Sequence, residues 1–183
     1  PFNTYAGAIM QVPTTNFILK WESGQSGSNF DRNLKEISLI TKDAFEPSLP
    51  LSVVVHIDYK KAAKVIQRFG NVQQLVEQTL DPMVSAYFKN TAQTKTLIEL
   101  LQDRSEIQSV SLKEMKDKFA LYNLELQEVL IGTPHSPAGN KQIEDILVQL
   151  RERQIAREQV ETYERQEAAA VKERSLREAE AIA

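Results

Sequence analysis

Two histidines and a few carboxylates are the side chains of this sequence that could support catalysis. His56 precedes Asp58 by two residues, and together with a serine these two could form the Ser-His-Asp arrangement of a hydrolase. No nucleophile motif accompanies them, so the simpler interpretation of His56 is a solvent-facing or hydrogen-bonded strand residue. His135 lies in a proline-rich loop and is predicted to be exposed. A small hydrolase built around His56 is therefore kept only as a third hypothesis.

The carboxylates of the first sixty residues do not have the spacing of a calcium loop. Five of the six are predicted to be surface and turn residues: Glu22, Asp31, Asp43, Glu46 and Asp58. Gly24 and Gly27 form neither a phosphate-cradling loop nor a dinucleotide fingerprint. The chain has no cysteine, which excludes disulfides and thiolate chemistry. We expect no catalytic residue, no cofactor, no metal and no small-molecule substrate.

Net charge and hydropathy limit the classes of partner that this chain could bind directly. The net charge is -3 and the pI about 5.6, so the chain lacks the basic field that binds a nucleic-acid backbone, and we expect no nucleic acid. The longest apolar run, Leu51 to Ile57, is far shorter than the roughly 20 residues of a membrane-spanning helix. The chain starts at Pro1 without an initiator Met and reaches Ala183 without a helix stop signal. We therefore expect a longer protein, with a membrane anchor outside this chain.

The first sixty residues have strand character. Short apolar or β-branched runs predict strands at Ala8–Val12 and Phe17–Trp21, followed by a flexible loop over Glu22–Asn29. The most regular pattern lies in the stretch LPLSVVVHIDY, where alternate residues predict a strand with one face on a core. The residues of that face are Leu51, Val53, Val55, Ile57 and Tyr59.

After Asp58 the period becomes helical. Ala62, Ile66 and Phe69 share one face of a helix that Asp58 could cap and that Gly70 could end in the left-handed conformation. A longer amphipathic helix follows over residues 72–88, and its apolar stripe is predicted to be core. Pro82 lies inside this helix and predicts a kink near residues 78–82.

The third quarter of the chain predicts two more helices and a strand. Thr96 and Glu99 form a capping box ahead of one helix, and the next helix places Ile107, Met115 and Phe119 on one side. The stretch Leu121–Ile131 returns to alternation, with a bulge predicted at Gln127 or Glu128. A loop over Gly132–Gly139 ends the globular part.

From Asn140, a predicted N-cap, the chain has no Pro or Gly and predicts a helix of about 66 Å. Its first turns carry a compact apolar stripe of Ile143, Ile146, Leu147 and Leu150. Further on the large apolar residues scatter around the circumference: Ile155, Val160, Tyr163, Val171, Leu176 and Ile182. Among these, Val160, Val171 and Ile182 recur every 11 residues, a period that suits a straight or slightly right-handed helix.

This helix has too little apolar surface on any one side to fold back on its own chain. Charges of both signs surround it, with Glu161 to Arg165 and Glu173 to Arg177 at the supportive i, i+4 spacing. It could be a solvated single helix, since helices that are polar all round exist. Alternatively, identical helices lie on both sides of it, as in a ring or sheath. The ten apolar residues from Ile143 to Ile182 named above are then its oligomerisation surface.

Five stretches in this order resemble the SPFH family, also called band 7, which includes stomatins, prohibitins and flotillins. They are ITKDAFEPSLPLSVVVHIDY at 40–59, DYKKAAKVI at 58–66, LIELLQDRSEI at 97–107, YNLELQEVLIGTP at 122–134 and QEAAAVKERSLREAEA at 166–181. The family usually has Gly where Ala44 stands. The shoulder region of the major vault protein also carries a similar domain and helix.

The resemblance implies an α+β fold, with a mainly antiparallel sheet packed by amphipathic helices and followed by a long C-terminal helix. We expect N-terminal strands and a loop at 1–35, the SPFH core at 36–134 and the charged helix at 140–183. The resemblance also implies a non-enzymatic homo-oligomer, a large ring or cage, associated with membrane lipids or membrane proteins through segments outside this chain. The alternatives are an interaction module for a different protein, such as a membrane protease, and a vault-like shell component.

Overall fold

The computed structural model describes residues 9–24 and 30–183. The chain divides into two compact units, Pro1–Ala138 and Gly139–Ala183. The first unit combines strands and helices, and the second is a single long helix. The predicted α+β class with an antiparallel sheet, packed helices and a long C-terminal helix is therefore confirmed. The predicted boundaries between the segments 1–35, 36–134 and 140–183 stay a prediction.

The elements follow one another in this order along the described residues. The strands are β1 (Phe17–Trp21), β2 (Ile37–Ser38), β3 (Ser48–Leu49), β4 (Leu51–His56) and β5 (Glu125–Ile131). The helices are α1 (Ala62–Phe69), α2 (Val72–Leu75), a π-helical turn (Val76–Leu80), α3 (Asp81–Gln93), α4 (Leu97–Gln102), α5 (Arg104–Ala120) and α6 (Gln142–Ile182).

An antiparallel sheet in the order β1-β4-β5 carries the core of the first unit, and β2 pairs with β3 in a second small sheet. The predicted alternation of β4 is confirmed, because Leu51, Val53 and Val55 are buried while the residues between them are half-buried. The prediction was wrong for Tyr59, which lies beyond the end of the strand and is 71% exposed. Ile57 is buried although the strand has already ended.

The bulge predicted in β5 is present. Val54 pairs with Glu128 while the next residue of β4, Val55, pairs with Leu126, so Gln127 is the extra residue. A bulge of one residue shifts the alternation of side chains by one. Leu126 and Val129, three residues apart, can therefore both be buried.

One of the two N-terminal strands is present and the other is not. The strand Phe17–Trp21 is confirmed as β1, paired along its length with β4. The strand expected at Ala8–Val12 is wrong for residues 9–12, which have no regular structure, and Ala8 lies outside the described residues. An apolar run of this length is a strand only where a neighbouring strand completes its hydrogen bonds, and residues 9–12 pair with none.

The helix predicted over residues 72–88 is divided at the position where Pro82 should disturb it. The π-helical turn Val76–Leu80 lies between α2 and α3, immediately before Pro82 in the first turn of α3. Proline lacks an N–H and its ring crowds the carbonyl one turn earlier, and the wider π turn accommodates both effects. The apolar stripe lies in the core, as predicted, through Val72, Leu75, Val76, Leu80, Val84 and Phe88.

The ends of α1 are formed differently from the prediction. Asp58 does not cap the helix, whose N-cap position is occupied by Lys61, and its carboxylate instead accepts the backbone N–H of Lys60. Gly70 does end the helix with a positive φ of 83°, and its N–H donates to the carbonyl of Ile66. Its ψ of -55° differs from that of the left-handed helical conformation.

The capping box predicted before α4 is confirmed in both directions. Thr96 Oγ1 accepts the N–H of Glu99, and Glu99 Oε2 accepts the N–H of Thr96. The following helix α5 buries the three apolar residues expected on one side, Ile107, Met115 and Phe119.

Two of the carboxylates predicted to be surface and turn residues accept hydrogen bonds from backbone N–H groups of other elements of the first unit. Asp31 is only 3% exposed, which corrects its prediction, and its Oδ2 accepts the N–H of Lys20 in the edge strand β1. Asp43 lies in a turn, as expected, and its Oδ1 accepts from Thr41 Oγ1 and from the N–H of Leu97 at the start of α4. Both carboxylates satisfy backbone donors that would otherwise be unpaired.

Candidate oligomerisation surface

The second unit consists of α6, and its sequence explains why the helix is long. No Pro or Gly interrupts Gln142–Ile182, and Ala, Glu, Arg, Gln and Leu, which favour helix, predominate. The predicted N-cap, Asn140, lies one position too early: Lys141 is the N-cap, and Asn140 Oδ1 accepts the N–H of Gln142 at 2.9 Å. Glu144 and Asp145 in the first turn favour this end of the helix through its dipole.

The predicted oligomerisation residues differ in their exposure along the helix. In the first turns Ile143 is buried, while Ile146, Leu147 and Leu150 are half-buried. From residue 151 onward every residue is exposed. Six predicted residues lie in that part and are 54% to 87% exposed: Ile155, Val160, Tyr163, Val171, Leu176 and Ile182. Within the described residues, the apolar side chains of α6 beyond residue 150 are therefore solvent-exposed.

Contacts within the helix are polar and local. Both predicted i, i+4 ion pairs form, with Arg165 Nη2 at 3.5 Å from Glu161 Oε2 and Arg177 Nη2 at 2.5 Å from Glu173 Oε1. Exposed pairs of this kind are worth about 0.3 to 0.5 kcal/mol each. They help the helix persist in solvent and leave its apolar side chains uncovered.

The histidines do not form a catalytic arrangement. His56 is half-buried in β4 with its Nδ1 buried, and no hydrogen bond joins it to Asp58, whose Oδ1 is bonded to the N–H of Lys60. His135, predicted to be simply exposed, retains 40% exposure of its side chain and places Nε2 at 2.7 Å from Glu36 Oε2. The backbone of His135 also pairs with Ser48. Its role is to attach the loop after β5 to the small sheet.

A groove of about 510 Å³ lies between α3 and α5, and the sequence patterns did not point to it. Tyr87 OH donates to Glu114 Oε2 at 2.6 Å, and Lys118 Nζ lies 5.8 Å from the Tyr87 ring centre. Burial, together with Glu114, raises the pKa of Tyr87 to about 12, so the hydroxyl stays protonated and donates. Because 27 residues separate Tyr87 from Glu114, no local spacing could reveal this contact.

The described residues contain neither a cluster that could bind a metal nor a helix that could span a membrane. Over residues 9–24 and 30–183, no group of three or more His, Cys, Asp or Glu side chains could hold a metal ion. Over the same residues, no helix combines the length and the apolar character that crossing a membrane requires.

Comparison with known proteins identifies a family. The sequence matches the model of the SPFH domain / Band 7 family over residues 4–175. A comparison with curated proteins gave no match. Proteins of the SPFH family are typically membrane-associated scaffolds that oligomerise, and they are generally non-enzymatic. The family match includes both the sheet and helices of the first unit and most of α6, and the chain therefore belongs to the SPFH domain / Band 7 family.

Proposed function

We propose that this chain is a non-enzymatic, membrane-associated scaffold whose copies stand side by side in a ring or cage that organises membrane lipids or proteins. The copies associate through α6. The membrane contact is made by segments outside this chain. The core of the proposed scaffold domain is residues 36–134, and residues 140–183 form the assembling helix.

One observation supports the proposal above the others: α6 exposes large apolar side chains on every side from residue 151 onward. A single exposed apolar residue is common on any protein surface and needs no explanation. A helix without tertiary packing, however, has only its propensity and weak i, i+4 pairs to keep it folded. Copies of the same helix would provide the missing packing and bury the exposed members of the proposed surface between them, of which six lie beyond residue 151.

The experiment is a mass measurement on the full chain, for instance by sedimentation velocity, at increasing concentration. The monomer has a mass of 20.8 kDa, and we expect species of several times that mass. Exclusive monomer at high micromolar concentration would contradict the proposal and favour the alternative in which α6 binds a different protein.

A matched pair of variants assigns any assembly to α6. Replacing Val160, Tyr163 and Val171 together by Ser removes exposed apolar surface from α6 and should weaken assembly. Ile98→Ser is the control, because Ile98 is 42% exposed in α4 of the first unit. Equal effects of the two changes would mean that α6 is not the assembling element.

A further inference from the structure

The small sheet of β2 and β3 has a free edge along β2. Within this sheet Leu39 donates its N–H to the carbonyl of Pro47 at the β3 side. Because backbone groups alternate along an antiparallel strand, the N–H and C=O groups of Ser38 and Ile40 point away from β3. Neither of these two N–H groups donates to any residue that the structure describes. The edge can therefore pair with an added strand.

A groove runs along this edge between β2 and α3. It consists of two adjoining pockets of about 340 Å³ and 260 Å³, and Ser38 and Lys89 line both of them. The helix contributes every fourth residue, and such residues follow one another along one side of a helix: Asp81, Ser85, Lys89 and Gln93. From Asp81 to Gln93 the helix rises about 18 Å, which is the length of about five or six extended residues.

The larger pocket is mainly apolar. Leu39, Ile40 and Pro137 line it, and Ile40 is 53% exposed. An apolar side chain placed here would be removed from water together with Ile40. The exposed carboxylate of Glu46 also lines this pocket and disfavours an acidic residue at this end.

The smaller pocket is polar and leaves two lysines for a ligand. Lys35 and Lys89 are both exposed, and neither is in an ion pair with a described residue. The carboxylates beside them are occupied, because Asp81 accepts from the buried indole and Glu36 Oε2 lies 2.7 Å from His135 Nε2. The free charge at this end of the groove is therefore positive and suits a carboxylate.

We propose that this groove binds an extended acidic segment of a different protein as a strand added to β2. The segment places an Asp or Glu side chain against Lys35 and Lys89 and a large aliphatic side chain against Ile40 and Pro137. Its backbone pairs with the free groups of β2, a common way of binding extended peptides. The whole groove lies in the first unit, so the inference goes beyond the proposed function and does not depend on assembly through α6.

The charges favour another molecule over the chain itself as the occupant. Residues 1–8 and 25–29, which lie outside the described part, contain no Asp or Glu. They therefore cannot supply the carboxylate that the two lysines would attract. A partner segment with one acidic and one aliphatic residue satisfies the lysines, the apolar pocket and the strand edge together.

A display library of random peptides of about nine residues, panned against the full chain, tests the inference. We expect the enriched peptides to carry an Asp or Glu within about five residues of a large aliphatic residue, the span of the groove. The affinity of the most enriched peptide is then measured by fluorescence polarisation. An enrichment that shows no acidic residue, or no enrichment at all, would overturn the proposal.

A charge reversal tests the polar end of the groove. Lys89→Glu should weaken binding of the enriched peptide roughly tenfold, because it places a carboxylate against the acidic residue of the peptide. Lys64→Glu is the matched control, since Lys64 is exposed in α1, lines neither pocket and gives the same net charge. Equal weakening by the two variants would mean that the peptide responds only to overall charge, and the groove would be the wrong site.

Ser38→Pro tests the added strand. It removes an N–H that bonds to no described residue, and proline is tolerated at the edge of a sheet. Binding should fall roughly tenfold while the unfolding midpoint followed by Trp21 fluorescence stays unchanged. If the variant instead lowers the mass of the chain in sedimentation, a second copy occupies the groove and the proposal of a different protein is wrong.

N-methylation of the peptide gives the same test on the unaltered protein. An added strand turns only every second N–H toward β2. Of two peptides methylated at alternate positions, one should lose roughly tenfold in affinity and the other should bind nearly as before. Equal effects of the two methylation patterns would show that the peptide does not pair with β2.

Discussion

Trp21 Nε1 donates a hydrogen bond to Asp81 Oδ1 across 2.8 Å, joining the last residue of β1 to the first residue of α3. Trp21 is completely buried, and the same Asp81 oxygen accepts from Ser85 Oγ. The contact lies immediately after the π-helical turn and beside Pro82. The carboxylate of Asp81, directly after the π-helical turn, therefore accepts the hydrogen bond of the buried Trp21 indole.

Asp81→Ala should destabilise the first unit by about 1 to 3 kcal/mol, because it leaves the buried indole N–H of Trp21 without an acceptor. Trp21 is the single tryptophan of the chain, so urea unfolding can be followed by its fluorescence. Ser85→Ala is the control, since it removes a second donor and leaves the indole bond in place. Equal losses for the two variants would show that the indole hydrogen bond is not the important contact.

Ala44→Gly should stabilise the protein by about 0.5 to 1 kcal/mol. Ala44 has a φ of 66°, in the left-handed region that costs a residue with a Cβ roughly 1 to 2 kcal/mol. Glycine removes that cost and adds some entropy to the unfolded chain, which offsets part of the gain.

The control for Ala44→Gly is the same substitution in an ordinary helix. Ala86 is exposed in the middle of α3, where Gly should destabilise by about 0.5 to 1 kcal/mol. Thermal unfolding of the two variants should move in opposite directions. A decrease for both would mean that Ala44 is not strained.

Asp43 should make the stability of the first unit depend on pH below its ordinary pKa of 3.8. Burial raises the pKa of Asp43, but hydrogen bonds from Thr41 Oγ1 and the N–H of Leu97 outweigh it and lower the pKa. A lowered pKa in the folded state means that the charged form stabilises the fold. Its contribution is complete above the ordinary pKa and is lost as the pH falls through the lowered one.

The measurement is urea unfolding of wild type and Asp43→Asn between pH 6 and pH 2.5. The difference in unfolding free energy between wild type and Asp43→Asn should be constant near pH 6. It should shrink at lower pH as Asp43 is protonated. Glu77, whose pKa is lowered by hydrogen bonds from Asn33 and Gln73, is present in both proteins, so the comparison cancels its effect. A difference that does not change with pH would contradict the role of the Asp43 charge.

Ala169→Pro should reduce assembly without affecting the first unit. A proline inside a helix costs about 3 kcal/mol, and Ala169 is exposed in the outer part of α6. We expect smaller species in sedimentation and an unchanged unfolding midpoint by Trp21 fluorescence. Ala169→Ser is the control and should assemble normally. Normal assembly of the proline variant would mean that a continuous α6 is unnecessary.

The sequence alone predicted the features that depend on local spacing. The alternation in β4, the capping box at Thr96 and Glu99 and the bulge at Gln127 were all found where the pattern placed them, whereas the kink predicted near residues 78–82 stays a prediction beside the π-helical turn Val76–Leu80. The period of a strand or a helix is set by the backbone, so a few neighbouring residues are enough to reveal it. The length of α6 follows in the same way from helix-favouring residues without Pro or Gly.

The tertiary structure decided which polar groups are buried and which predicted elements find a partner. Asp31 is buried because its carboxylate meets the edge of β1, Asp81 meets an indole 60 residues away, and His135 meets Glu36. Residues 9–12 form no strand because no neighbour pairs with them. Each of these outcomes depends on groups distant in the chain, and the desolvation and pairing of a polar group are set by what surrounds it in space.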